Sequence, residues 1–307
     1  MPELLKTIGK DMPMTDAELA KLIRSAPKRY KVFEIPKRSP GQFRTIAQPA
    51  REVKLLQYWV ITNILAKLPV HRSATAYRKT VGLADNARPH LHSRYLLKLD
   101  FRDFFPSIRA RDFEIYMDTP SPSWDEEDVK LLCRILFWTP KGERALRLSI
   151  GAPSSPILSN ILLYHFDHQV AEACERLGVT YTRYADDMSF SANESRLLQS
   201  VEEHVVNLCR ASKSPHLELH EAKTVRVSMR QARRVTSLVL TNDKQLSLGR
   251  EQKRRISATV HRFLKGQLSR EEITRLKGML AYIHSVEPTF LRRLEVKYGS
   301  NLLLTVR

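Results

Sequence analysis

Val179-Thr180-Tyr181-Thr182-Arg183-Tyr184 and Met188-Ser189-Phe190-Ser191 are two runs of β-favouring residues separated only by Ala185-Asp186-Asp187. The spacing predicts a hairpin with two acids at its tip. Carboxylates a few ångströms apart repel and raise each other's pKa unless a cation lies between them, so the pair asks for a metal. A lone Asp-Asp is more often a plain polar turn, and its surroundings must decide. Successive strand side chains point to opposite faces, so Asp186 and Asp187 share a cation only through a distorted turn, and a third carboxylate is required. Tyr95-Leu96-Leu97-Lys98-Leu99-Asp100-Phe101 supplies it. Leu97, Leu99 and Phe101 fall on one face and Leu96, Lys98 and Asp100 on the other, which makes a strand with a carboxylate near its end. Three carboxylates with phosphate oxygens suit Mg²⁺, and two such ions about 3.5–4 Å apart activate a 3′-hydroxyl and stabilise a leaving pyrophosphate. The expected chemistry is nucleotidyl transfer.

The chain has 307 residues, enough for one large or two modest domains, and its 42% hydrophobic content excludes disorder and low complexity. Its formal charge of +18 creates a field that attracts polyanions, with nucleic acid the favoured partner over a merely solubilising role. Cys133, Cys174 and Cys209 are scattered, which excludes a disulfide framework or zinc ribbon and fits a reducing compartment. No apolar stretch is long enough for a membrane span or a signal peptide, so a cytoplasmic protein with no membrane partner is expected.

Thr15-Asp16-Ala17-Glu18 has capping-box spacing, and a helix to about Ser25 follows from Leu19, Leu22 and Ile23. Residues 30–49 read as two short strands around the basic turn Lys37-Arg38-Ser39-Pro40-Gly41. Val53, Leu56, Val60, Ile64 and Leu68 predict an amphipathic helix over 51–68. Pro156 opens a long helix carrying Ile157, Ile161, Leu162, Phe166 and Val170. Residues 248–307 hold 13 Lys and Arg against 5 Asp and Glu on a helical pattern, read as a separate basic helical domain.

Tyr184-Ala185-Asp186-Asp187 between strands, with Leu99-Asp100-Phe101-Arg102-Asp103-Phe104-Phe105-Pro106 upstream and Gly151-Ala152-Pro153-Ser154-Ser155-Pro156 between them, resembles the palm motifs of reverse transcriptases in their order. Asn86-Ala87-Arg88-Pro89-His90, Arg44-Thr45-Ile46-Ala47-Gln48-Pro49, His220-Glu221-Ala222-Lys223-Thr224 and Val235-Thr236-Ser237-Leu238 are similar to bacterial retron reverse transcriptases, so the resemblance spans roughly residues 30–300. It implies an α+β right-hand polymerase: an N-terminal helical extension over 1–29, fingers and palm over 30–247 (palm core about 91–117 and 145–247) and a basic helical thumb over 248–307.

The resemblance makes Asp100, Asp186 and Asp187 the catalytic Mg²⁺ ligands, with the Phe101 carbonyl as a further ligand and Mn²⁺ as a substitute ion. Phe105 matches the bulky residue beneath the nucleotide sugar and selects dNTPs, whereas Phe104 reads as core. Asp103 reads as a surface or helix-capping acid. Gly151, Ala152 and Pro153 border the nucleotide and let backbones approach closely. Arg44 and Lys223, with Lys37 and Arg38 as helpers, match triphosphate-neutralising positions, and Lys223 is also a candidate proton donor to pyrophosphate. Asn86 and His90 either contact RNA or brace the palm; Val235 and Thr236 fall where the family positions primer and RNA. Arg254, Arg255 and Arg262, with Arg250, Lys253 and Lys265, line a face that grips RNA or is simply solvated. Two departures stand out: Ile150 where relatives have Gln, and Ser237 where they have Gly.

The function implied is an RNA-directed DNA polymerase that copies part of a cognate structured non-coding RNA into single-stranded DNA. The DNA is primed from a 2′-hydroxyl and left joined to the RNA, in an anti-phage defence system whose effector protein is another chain. The alternatives are a group II intron-like or diversity-generating reverse transcriptase, disfavoured by length and by Asn86-Ala87, and an inactive RNA-binding scaffold, disfavoured by the intact triad.

Overall fold

A computed structural model describes residues 2–37, 41–118 and 125–299. The fold is α+β, with small antiparallel sheets among helices. The strands are β1 (Tyr30–Pro36), β2 (Phe43–Pro49), β3 (Tyr95–Asp100), β4 (Thr180–Tyr184), β5 (Asp187–Ala192), β6 (Val225–Ser228), β7 (Arg233–Val235), β8 (Leu238–Leu240) and β9 (Leu246–Ser247). β1 and β2 form the expected hairpin, with Tyr30 opposite Pro49 and Pro36 opposite Phe43; Arg38 lies outside the described residues.

The central sheet has the order β4-β5-β3-β6. Its two faces carry different loads, because Leu97 and Leu99 enter the main core while Leu96 enters a second core. The main core receives the helix Tyr164–Arg176 through Phe166 and Val170, and the helix Ser195–Ala211 through Val201 and Val205. The N-terminal helices join the same core: Leu4, Leu5 and Ile8 of Glu3–Asp11, and Leu19, Leu22 and Ile23 of Asp16–Ser25. The second of these helices begins with the predicted capping box at Thr15 and Glu18. The first was not expected; its short apolar face is legible only when something packs on it.

Three readings change. The α-helix from Arg51 stops at Asn63, whose side-chain amide donates to the Trp59 carbonyl at 2.9 Å and competes with the backbone ladder; a 3₁₀ turn, Leu65–Lys67, follows. The helix after Pro153 is two helices, Ser154–Leu162 and Tyr164–Arg176, broken at Leu163 with neither Pro nor Gly to mark the break. The C-terminal helices Arg250–Leu264, Arg270–Val286 and Pro288–Tyr298 do not form a core by themselves. Ile256, Val260, Leu280, Ile283 and Leu291 pack with Val235, Leu238 and Leu240 of the β7–β9 sheet and with Ala87 and Leu96, because three short amphipathic helices cannot enclose their own apolar faces.

Candidate active site

The predicted hairpin forms, with Tyr184 opposite Asp187 and Ala185-Asp186 as its turn. Ala185 takes a left-handed φ of 58°, the distortion that adjacent acids need if they are to serve one site. Asp187 lies directly across from Asp100 on β3, and the Phe101 N–H donates to the Asp186 carbonyl at 3.1 Å. The His220 N–H donates to the Asp100 carbonyl at 2.7 Å, which draws the His220–Lys223 segment onto the end of β3. Three carboxylates from two strands and a turn thus meet at one end of the sheet.

They do not form a closed ligand cluster. No group of three or more His, Cys, Asp or Glu side chains stands at metal-ligating spacing among the described residues. Each of two carboxylates is instead drawn to its own ammonium: Lys223 Nζ lies 2.7 Å from Asp100 Oδ1, and Lys98 Nζ lies 2.7 Å from Asp187 Oδ2. Burial pushes the Asp186 carboxyl upward and Asp100 adds to the rise, against the pull of Lys223 and Arg44. Burial likewise raises Asp187, opposed by Lys98. Hard oxygen donors whose negative charge is poorly accommodated, beside two ammonium groups that already serve as counterions, fit a divalent cation.

Phe104 is buried and stacks on Phe101 at 5.6 Å, as its core reading requires. Asp103 occupies the N-cap of the turn Phe104–Ser107, but its side chain makes no capping bond; its carbonyl accepts from the Ser107 N–H instead. Phe105 is half-buried, with its ring 6.4 Å from that of Tyr77. Tyr77 escaped the sequence reading. Its φ is 63°, it is 45% exposed, and its ring also lies 6.4 Å from Tyr184. Its phenol is pushed up to about 12, first by burial and then by Asp186. A bulky residue at positive φ is rare enough to mark a site, but the φ is invisible in sequence.

Gly151 has φ 119°, and a Cβ there would stand 3.1 Å from the Ala47 carbonyl oxygen. The close approach is therefore to β2, with the Ala47 N–H donating to the Ile150 carbonyl at 2.9 Å, and it is this contact that sets the strand carrying the exposed Arg44. Ile150 acts here through its backbone. Ala152 is buried, and Pro153 is half-buried at the start of the next helix.

Several residues expected at RNA lie inside. His90 is wholly buried, its ring nitrogens 2.7 Å from Ser191 Oγ and 2.8 Å from Thr182 Oγ1, and burial depresses its pKa to about 3. Asn86 is 1% exposed and accepts from the Thr75 hydroxyl. Both brace the sheet. Val235 is a core residue. Thr236, half-buried, carries the left-handed φ (53°) of the β7–β8 turn, so Ser237 in place of Gly meets no positive-φ requirement. Arg254 and Arg255 are exposed; Arg262 pairs with Glu272 at 3.1 Å. Lys253 leaves the basic face altogether, bonding Glu287 at 2.5 Å and lying over the Phe290 ring.

Three carboxylates at the end of an antiparallel sheet, with Lys223 and Lys98 beside them and Arg44 near enough to lower the Asp186 pKa, make up the candidate site. The family described as reverse transcriptase (RNA-dependent DNA polymerase) matches residues 35–262. The retron Ec83 reverse transcriptase of Escherichia coli is 37% identical over 304 residues, covering 98% of this chain and 96% of that protein. The retron Ec86 reverse transcriptase of the same species is 32% identical over 97% of this chain and 92% of its own length. Among solved structures, telomerase from Candida albicans in complex with a fragment of telomeric RNA aligns over 91% of this chain and 58% of that one, at 13% identity and a TM-score of 0.49. The chain belongs to the retron reverse transcriptases and is an RNA-directed DNA polymerase.

Proposed function

We propose that this polymerase acts by two-Mg²⁺ nucleotidyl transfer at Asp100, Asp186 and Asp187, copying part of a cognate structured non-coding RNA into DNA that stays joined to it through a 2′-hydroxyl. The observation that carries the reading is the meeting of these carboxylates at one end of β3 and β5, with Asp100 opposite Asp187. Bound there, the ions would activate the attacking hydroxyl and neutralise the departing pyrophosphate. The protein's own groups do the rest. The Phe101 carbonyl is a further candidate ligand, and Mn²⁺ can substitute. Arg44 and Lys223 bring positive charge to the triphosphate, and Lys223 holds a proton at Nζ beside Asp100 for the leaving group. Phe105 stands where the sugar rests and excludes a 2′-hydroxyl by its bulk.

The proposed organisation is an N-terminal extension over 1–29, fingers and palm over 30–247, and a thumb over 248–307 that holds RNA through Arg254 and Arg255. No helix among the described residues is long and apolar enough to cross a membrane. We place the protein in the bacterial cytoplasm, in an anti-phage system with a separate effector protein. The test is incorporation of dNTPs on a primed RNA template, together with nuclease treatment of co-purifying nucleic acid. Activity lost in Asp187→Asn, and a ribonuclease-sensitive part joined to a deoxyribonuclease-sensitive part, are expected; an active Asp187→Asn enzyme overturns the triad.

A further inference from the structure

Arg183 and Asp167 are 0% exposed, and Asn160 beside them is 1% exposed. A guanidinium in that position is tolerable only when its N–H groups find acceptors. Nε and Nη2 fork onto Asp167 Oδ1 at 2.8 Å and Oδ2 at 2.5 Å, while Nη1 donates to Asn160 Oδ1 at 3.2 Å and to the Ala185 carbonyl at 2.8 Å. The Tyr181 hydroxyl donates to the same Asp167 at 2.7 Å. Asn160 Nδ2 in turn donates to the Ala76 carbonyl at 2.9 Å, one residue before Tyr77. The Arg183 backbone binds this segment too, its N–H donating to Ser73 and its carbonyl accepting from Thr75.

Stability by itself does not call for such a cluster, since well-packed apolar residues of similar volume usually serve as well or better. An apolar cluster cannot hold a carbonyl at a fixed point. The carbonyl held here belongs to Ala185, the left-handed residue immediately before Asp186. We propose that Arg183, locked by Asp167, is the positioning residue of the catalytic hairpin: through the Ala185 carbonyl it sets the Asp186 carboxylate, and through Asn160 and Ala76 it sets Tyr77 beside Phe105. The proposal rests on Asp186 being a metal ligand.

The full-length protein with Arg183→Lys keeps the buried charge pair but loses the planar fork. The triple variant Arg183→Met, Asp167→Leu, Tyr181→Phe replaces the charge pair and its tyrosine with apolar side chains and keeps Asn160 with its bond to the Ala76 carbonyl. Both are measured for cooperative melting, RNA affinity, Mn²⁺ binding by electron paramagnetic resonance, and single-nucleotide incorporation. Folding and RNA affinity should persist while Mn²⁺ affinity and kcat each fall about 10–100-fold, with KM for dNTP little changed. A folded variant with wild-type Mn²⁺ affinity and kcat makes the pair merely structural. Should the triple variant not melt cooperatively, Arg183→Lys decides alone. A wild-type protein that binds Mn²⁺ no better than Asp186→Asn overturns the metal assignment itself, a result that variants at Arg183 cannot produce.

Discussion

Asp100 and Asp187 face each other across β3 and β5 as a direct cross-strand pair on one side of the sheet. Like charges so placed destabilise a sheet, and the protein answers with Lys98, two residues before Asp100 on the same face, 2.7 Å from Asp187. A metal held by Asp187 would have to displace Lys98. Lys98→Met should lower the metal-free unfolding free energy by about 1–3 kcal/mol, by leaving a largely buried carboxylate without its partner. It should also lower the Mg²⁺ concentration giving half-maximal activity. Denaturant melts with chelator and a Mg²⁺ titration check the two halves; an unchanged Mg²⁺ requirement means that Lys98 does not compete.

Asp186 has no ion pair of its own among the described residues, and its folded pKa is raised by burial and by Asp100. A raised carboxyl pKa means that its contribution to stability is complete below the unfolded value near 4 and is lost as pH rises through the folded value. Asp186→Asn should therefore melt higher than wild type at neutral pH without metal, with the gap closing toward pH 4. Mg²⁺ should raise the melting temperature of wild type but not of the variant. A variant less stable at pH 7 would refute this.

Phe105→Ala or Phe105→Val should admit ribonucleotides, raising kcat/KM for rNTP relative to dNTP about 10–200-fold, since the proposed selection is steric. Tyr77→Ala should move the ratio in the same direction by a smaller factor, through loss of the ring beside Phe105. Single-nucleotide incorporation kinetics decide; an unchanged ratio returns Phe105 to a packing role.

Neutralising Arg254, Arg255 and Arg262 together should weaken RNA binding and flatten its salt dependence. The log–log slope should change by the equivalent of two contacts, about 0.7–0.9 each, because Arg262 is already engaged by Glu272. Parallel wild-type and variant slopes would show that these side chains do not touch the backbone.

His90, with a folded pKa near 3, stays neutral where the unfolded chain's imidazole protonates, so protons favour unfolding as pH falls below about 6.5. Between pH 7 and pH 5 this should remove about 2 kcal/mol of stability. His90→Gln keeps hydrogen-bonding capacity toward Ser191 and Thr182, and should show correspondingly less acid sensitivity in denaturant melts at the two pH values. Equal losses in both proteins would mean that other groups dominate.

Much of the site was legible in the chain because the deciding features are local. Strand alternation over 95–101, a two-residue turn before Asp187 and a capping box at Thr15 each depend on residues within a few positions of one another. The strand ending at Asp100, the acidic hairpin tip and the β1–β2 hairpin followed from such local patterns, while joining the three carboxylates into one site leaned on the family resemblance. What folding alone decided is the set of partners that come from far along the chain. Lys223 reaches Asp100 across 123 residues, Asn86 and His90 turn inward to the sheet, Lys253 leaves its basic face for Glu287, and Ala185 is held by an arginine whose aspartate lies on a separate helix. Charge and periodicity place such a residue on a face. Whether that face meets water, a core or a counterion depends on which distant element packs against it, and that is set by the tertiary enclosure of apolar surface and the pairing of every buried charge.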